Sequence, residues 1–234
     1  MRALLPSGVR HFGARQRRAL RDWWHGRLGQ WAASPGSNGA GNGVQRIAAY
    51  TCPILNPAFL VRSRLDGVTL HPGELFSFWR LVGRPDAAHG FKVASNFIGG
   101  RVGFAEGGGI CQLSSALYNA ALLAVLEILE RHAHSIDAYG ANRYVPLGRD
   151  ATVVHGYKDL QFRNATAIPM TLRIRIQPDA VETAFFAPDS PSADVQIEVD
   201  ALSPDGLRTR TRRRRNGQWE VVSQDRYALP GGPA

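Results

Sequence analysis

The stretch Gly107-Gly108-Gly109-Ile110-Cys111-Gln112-Leu113-Ser114-Ser115 does most to limit how this chain folds, because the residues it opens onto are apolar on almost every side. Over about 112–131, Leu113, Ala116, Leu117, Ala120, Ala121, Ala124, Val125, Ile128 and Leu129 cover most of a helix circumference. The spacing predicts a central helix buried on nearly all sides. Gln112, Asn119 and Glu127 within it argue for a core helix and against a membrane span. The glycines allow a sharp turn and a close approach to the backbone, and a helix start offers free N–H groups and a partial positive charge. A thiol placed there loses its proton more readily than a free one, and the thiolate is the reactive form. The alternative is that Cys111 is a small buried hydrophobe.

The chain has 234 residues and a hydrophobic fraction of 44%, enough for one domain of ordinary size plus tails. Two cysteines, Cys52 and Cys111, leave room for at most one bridge and make no disulfide framework. The histidines are scattered, and His132 and His134 are too close together for the usual helical metal pair, so neither a metal nor a cofactor is expected. The net charge of +9 is unevenly placed. Residues 1–31 hold seven arginines and one acid, and residues 207–215 hold six arginines and no acid, which leaves −3 for the rest. A body that is acidic on balance argues against a nucleic-acid groove and points the basic ends toward anionic surfaces.

Residues 14–31, with Leu20, Trp24, Leu28 and Trp31 on one side, are expected to form a basic amphipathic helix that either docks on the domain or lies on an anionic membrane surface. Residues 33–43 read as a flexible linker. Short elements are expected over 58–65 (helix), 75–79, 92–98 and 101–104 (a hairpin through Gly99-Gly100), 135–139, 151–155, 160–162, 171–176, 181–187, 195–199 and 219–222. The arginine run 212–215 reads as a solvated loop or an anionic-surface contact before an Asn216-Gly217 hairpin tip. The layout is α+β: a buried central helix, mostly antiparallel strands and a basic N-terminal tail. The expected divisions are 1–43, 44–178 and a C-terminal β extension over 179–234. The N-terminus has too short an apolar run for a signal peptide, and Pro6 interrupts it, so the expected location is cytoplasmic or peripheral at the inner membrane unless another route exports the protein.

Asn56-Pro57, Pro72-Gly73-Glu74-Leu75-Phe76-Ser77-Phe78, Gly83, Gly90-Phe91, the 107–114 block, Leu117-Tyr118, Glu130-Arg131-His132-Ala133-His134-Ser135, Gly148-Arg149-Asp150-Ala151-Thr152-Val153 and Asp159-Leu160-Gln161-Phe162-Arg163-Asn164 together resemble the VanW family, over roughly residues 46–178. The family takes its name from a type-B vancomycin-resistance cluster. The segment Phe59–Leu70 is more compact than in related short members. The resemblance implies a link to the cell wall, and for some extracellular members L,D-transpeptidation of peptidoglycan stems through a cysteine. The better-known Ser-x-Gly-Cys signature of L,D-transpeptidases is not present in this chain.

A cysteine acyl transferase needs a thiolate, a base, a group to orient the base and donors for the oxyanion. Cys111 supplies the sulfur, His134 the base and Asp150 the orienting carboxylate, in a chain order resembling transglutaminase-like folds. The backbone N–H groups of Cys111 and Gln112, with the Gln112 side chain as a second choice, are the oxyanion candidates, and Gly108 and Gly109 belong to the same substrate-binding region. Arg131 and Arg101 are candidates for a substrate carboxylate, and Glu106 for a substrate amine. His132 and His155 are rival bases. His134 capping a helix end, Asp150 holding a turn, and Asp159 and Asn164 as turn residues are the structural alternatives. Ser114 and Ser115 read as first-turn polar residues. Two functions follow: a cysteine-dependent acyl transferase or amide hydrolase on a peptidoglycan peptide or precursor, or a non-catalytic peptide- or anion-binding module held to a membrane or wall polymer through its basic ends.

Overall fold

Antiparallel sheets enclose one buried helix, α3 (Ile110–Leu123), in an α+β fold. The computed structural model describes residues 7–27, 29–33, 44–53, 64–89, 91, 93–98, 101–106, 109–191 and 194–231. Twelve of the fourteen α3 residues are buried, as their apolar circumference requires. α3 packs on a four-stranded sheet ordered β1 (Gln45–Pro53), β9 (Ala180–Ala187), β8 (Met170–Ile176), β2 (Thr69–Leu70). Alternation in β8 turns Met170, Leu172 and Ile174 inward. Thr183 Oγ1 of β9 donates to Ala116 O at 2.9 Å, and Cys52 Sγ of β1 lies 3.9 Å from Gln112 O. The division expected at 178–179 falls in the turn between β8 and β9, inside this sheet.

The helix does not run on to residue 131. Val125 adopts φ 60°, its N–H bonds Leu122 O at 3.2 Å, and Leu126 N–H bonds Ala121 O at 3.0 Å. This Schellman-type turn closes α3. Residues Glu127–Glu130 continue as β6, pairing with β7 (Gln161–Arg163) in a sheet ordered β3 (Leu75–Ser77), β7, β6. Ile128 lies opposite Phe162, whose ring stacks on Phe76 at 4.3 Å. An existing apolar strand partner overrides the local helical spacing. Ser77 also caps α2 (Phe78–Val82), accepting the Arg80 N–H.

The arginine run is not a loop. It forms the second half of β11 (Arg208–Arg215), the central strand between β10 (Val195–Ala201) and β12 (Gln218–Arg226). Asp194, Glu198, Asp200 and Glu220 answer its charges. Residues 135–139 and 151–155, expected as strands, contribute only single bridges, Ile136 to Ala228 and Val154 to Lys158. β4 (Val93–Ile98) and β5 (Arg101–Glu106) form the expected hairpin. Its Gly99-Gly100 turn, linker residues 34–43 and positions 58–63 of the expected short helix lie outside the described residues.

The N-terminal helix, α1 (Ser7–Trp24), starts and ends earlier than its spacing suggested. Arg18 and Arg21 reach Glu130, while Leu20, Trp23 and Trp24 are exposed. No helix among the described residues is long and apolar enough to cross a membrane.

Candidate active site

Gly109 caps α3 with φ +82°, a conformation that suits glycine, and sets Cys111 as the second helical residue. Two extended segments meet at that point: residues 131–134, leaving β6, and residues 150–153. Thr152 N–H donates to His132 O at 2.8 Å, which holds the two together. The second segment is pinned along α3. Ser114 Oγ donates to Ala151 O at 2.6 Å, Ala151 N–H donates to Ser115 Oγ at 2.9 Å, and Asn119 Nδ2 donates to Arg149 O at 2.7 Å. Ser114, Ser115 and Asn119 are buried and bonded in this way, which explains polar residues on an apolar helix.

These contacts bring Cys111, His134 and Asp150 together at the start of α3. The half-buried Cys111 Sγ lies 3.5 Å from Thr152 Oγ1 and 3.9 Å from Val153 O, within the electrostatic reach of His134. His134 Nδ1 is 2.6 Å from Asp150 Oδ2. Burial pushes the Cys111 thiol up, but the hydrogen bond and charge of His134, with help from Thr152 and the Val153 backbone, hold it below the ordinary thiol value. Burial disfavours the charged imidazole, yet hydrogen bonds to Asp150 and Cys111 push His134 up to about 9. Asp150, despite burial, is held down at about 2 by His134 and Arg131. A thiol held low beside an imidazole held high is the arrangement that nucleophilic chemistry uses.

Arg131 is placed differently from the role expected of it. Its Nε donates to Asp150 O at 2.6 Å, Nη2 to Asp150 Oδ1 at 3.0 Å and Nη1 to Asp225 Oδ1 at 2.5 Å. With its side chain 4% exposed, Arg131 is a buried counter-ion of Asp150 and not a clamp for a substrate carboxylate. His132 turns to Glu130, with Nε2 3.0 Å from Oε1, and His155 packs edge-on against Trp79. Gly107 and Gly108 lie outside the described residues. Gln112 N–H is given to Gly109 O at 3.0 Å, and its buried Oε1 has no hydrogen-bond partner among the described residues. Arg101 and Glu106 open and close β5. Asp159 accepts from Ser77 Oγ at 2.6 Å and from the Trp79 N–H at 3.1 Å and so ties its segment to the start of α2, whereas Asn164 Oδ1 accepts the Thr166 N–H at 3.1 Å and serves its turn. Cys52 is 1% exposed and unbridged, and burial pushes its thiol up to about 12.

Sequence reading missed four residues. Thr152 touches the sulfur. Lys158, half-buried, lies within the electrostatic reach of Cys111 and Asp150. Asp225 and Tyr227 come from the C-terminal strand region, and Tyr227 Oη donates to Asp150 Oδ1 at 2.6 Å. Thr152 stands beside the Asp150 block and was findable there. The other three carry no local signal. No cluster of three or more metal-ligating side chains occurs among the described residues.

A family model described as VanW like protein matches residues 58–186. The chain is 39% identical over 111 residues to the Uncharacterized protein YoaR of Bacillus subtilis (strain 168), covering 47% of this chain and 35% of that protein. It is 32% identical over 139 residues to the Vancomycin B-type resistance protein VanW of Enterococcus faecalis (strain ATCC 700802 / V583), covering 59% of this chain and 50% of that protein. The matches thus span between a third and a half of the length of these relatives. No solved structure matches. Cys111, His134 and Asp150 all fall inside the family match, whereas Asp225 and Tyr227 lie beyond its end. Because that match takes in more than half of its residues, the chain belongs to the family of VanW-like proteins.

Proposed function

We propose that this protein is a cysteine-dependent acyl transferase, or amide hydrolase, acting on peptidoglycan peptides. The observation that carries the reading is the Cys111–His134–Asp150 series at the start of a buried helix. The name of the enterococcal relative, which refers to vancomycin resistance, and the resemblance to wall-linked proteins supply the substrate class.

The Cys111 thiolate attacks the carbonyl carbon of the scissile amide, forming a C–S bond and an oxyanion. The Cys111 N–H, among those that helix geometry leaves without an intrahelical carbonyl, is placed to receive that charge. The His134 imidazolium protonates the leaving amine nitrogen as the C–N bond breaks, leaving a thioester on Cys111 and a neutral imidazole. His134 then takes a proton from an acceptor amine or from water. That nucleophile forms the new amide or the free acid, and the sulfur leaves as thiolate with the proton held on His134. Asp150 keeps the imidazole oriented and stabilises its charged form.

The test is incubation of the full chain with purified stem peptides and intact-mass spectrometry. A mass increase on Cys111 equal to the acyl portion, with release of the amine, is the expected result. Cys111→Ala loses the adduct and the turnover while keeping its circular dichroism spectrum. Turnover retained in the alanine variant ends this reading, and a wild type with neither adduct nor turnover leaves a non-catalytic binding module in its place.

A further inference from the structure

We infer that the C-terminal sheet β10–β12, which lies beyond the family match, completes the catalytic centre of this protein, with Tyr227 and Asp225 as positioning residues for Asp150 and Arg131. The inference rests on the cysteine acyl-transfer reading above.

Three groups of contacts carry it. Tyr227 is 3% exposed; its Oη donates to Asp150 Oδ1 at 2.6 Å and accepts the Gly148 N–H at 2.7 Å. With both functions of the hydroxyl used, the phenol has one orientation, and it fixes the carboxylate oxygen that His134 does not hold. Asp225 accepts from Arg131 Nη1 at 2.5 Å and from Ser223 Oγ at 3.0 Å, so it aims the guanidinium that faces Asp150. The sheet also grips the backbone on both sides of the site. Thr211 Oγ1 donates to Gly148 O at 2.9 Å, and a Cβ on Gly148 would lie 2.7 Å from that same oxygen. Ala228 N–H donates to Ser135 O, and Asp137 N–H donates to Ala228 O, both at 2.9 Å. The extension therefore holds the chain just after His134 and just before Asp150. A segment that only covered the core would do so with hydrocarbon. This one places a phenol and a carboxylate on the partners of the catalytic acid.

The experiment measures the pH dependence of Cys111 alkylation by iodoacetamide in the full chain, with peptide mapping and a melting curve for each variant. Wild type is expected to inflect below the ordinary thiol range. Tyr227→Phe removes the hydroxyl and frees the carboxylate to turn from His134. Asp225→Asn keeps the shape and hands more of the Arg131 charge to Asp150, weakening its hold on His134. Each is expected to raise the inflection by about one pH unit, which is about tenfold slower alkylation below it. Trp219→Ala, on the far face of the same sheet over Arg212, is expected to leave the inflection in place even if it lowers the melting temperature. Should Tyr227→Phe and Asp225→Asn lower only the melting temperature, with the inflection unmoved, the sheet is a structural cover and the inference falls. An ordinary thiol profile in wild type defeats both this inference and the acyl-transfer reading; a low wild-type profile unmoved by the variants defeats only this one.

Discussion

Asp150 Oδ2 accepts two hydrogen bonds from His134, from the ring Nδ1 at 2.6 Å and from the backbone N–H at 2.7 Å. One oxygen thus fixes both the imidazole and the chain that carries it, and Nε2 is the ring nitrogen left for Cys111. Removing the ring by His134→Ala leaves burial as the main influence on the thiol, opposed only by Thr152 and Val153. Cys111 alkylation near pH 7 is then expected to slow by about tenfold or more, following the lost thiolate fraction. Cys52, buried and pushed up to about 12, stays unmodified in the folded protein, so peptide mapping reads Cys111 alone. An alkylation rate unchanged in His134→Ala means that the helix start, and not the imidazole, sets the thiol.

The same pair predicts a window of stability. Asp150 is held at about 2 against an ordinary 3.8, so its contribution is present above the ordinary value and is lost as pH falls toward 2. His134 is raised to about 9 from 6.5, so its contribution is full below 6.5 and is lost as pH rises through the folded value. The lowered Cys111 thiol acts in the opposite sense on the alkaline side. The alkaline limb is therefore best read in Cys111→Ala, where Asp150 remains as the partner that raises the imidazole. Melting temperature in that background is expected to be highest between about pH 4 and 6.5 and to fall on either side, with Asp150→Asn flattening both limbs. A flat profile with Asp150 intact would show that the carboxylate does not hold the imidazolium.

The turn at Gly109 and the start of the helix were legible because both are local: glycines, then an apolar run of one period. The route from Cys111 to His134 was not. Glu127-Ile128-Leu129-Glu130 continues the helical spacing on paper, and only its partner β7, more than thirty residues on, makes it a strand. The expected antiparallel return of His134 toward the helix start is thus made by an extended chain, with Val125 at φ 60° as its corner. The arginines of β11 illustrate the same limit. Composition made them a solvated loop, yet Arg213 is 5% exposed, because it turns inward to the Leu122 and Leu126 carbonyls, 91 and 87 residues away. Asp225 and Tyr227 reach Arg131 and Asp150 across separations of 94 and 77 residues, and no periodicity reports a contact of that kind.

Glu130 anchors the N-terminal helix. It accepts Arg18 Nη2 at 2.8 Å, Arg21 Nη2 at 2.6 Å and the Asp159 N–H at 3.0 Å, with its side chain 7% exposed. Burial raises this carboxyl, but the His132 hydrogen bond and the Arg18 and Arg21 charges bring it down to about 2. Glu130→Gln keeps the shape and removes the charge, weakening each charge-assisted bond to α1, of which the exposed Arg21 contact is worth no more than about 1 kcal/mol and the more buried Arg18 contact more. Trypsin is expected to cut at Arg17, Arg18 or Arg21 several-fold faster in the variant, and high salt is expected to speed cutting in wild type. Equal cutting rates would mean that α1 is held by packing and not by these charges.

Arg213 closes the other end of α3. Its Nη1 donates to Leu122 O at 3.2 Å and to Leu126 O at 2.9 Å, while Nε holds Glu220 at 2.7 Å. The guanidinium thus gives Leu122 O, which also accepts the Val125 N–H, a second donor, holds Leu126 O just past the helix, and complements the negative end of the helix. Arg213→Ala removes the Arg213 donor from Leu126 O and leaves Leu122 O with the Val125 N–H alone, and is expected to cost about 2–3 kcal/mol. Urea denaturation reads this as a lower midpoint at unchanged slope. Arg213→Lys brings one ammonium where a planar fork served two directions, and is expected to recover only part of the loss. If Arg213→Ala left the midpoint unmoved, the turn at Val125 would be sufficient to end the helix, and β11 would contribute to α3 through hydrocarbon contact alone.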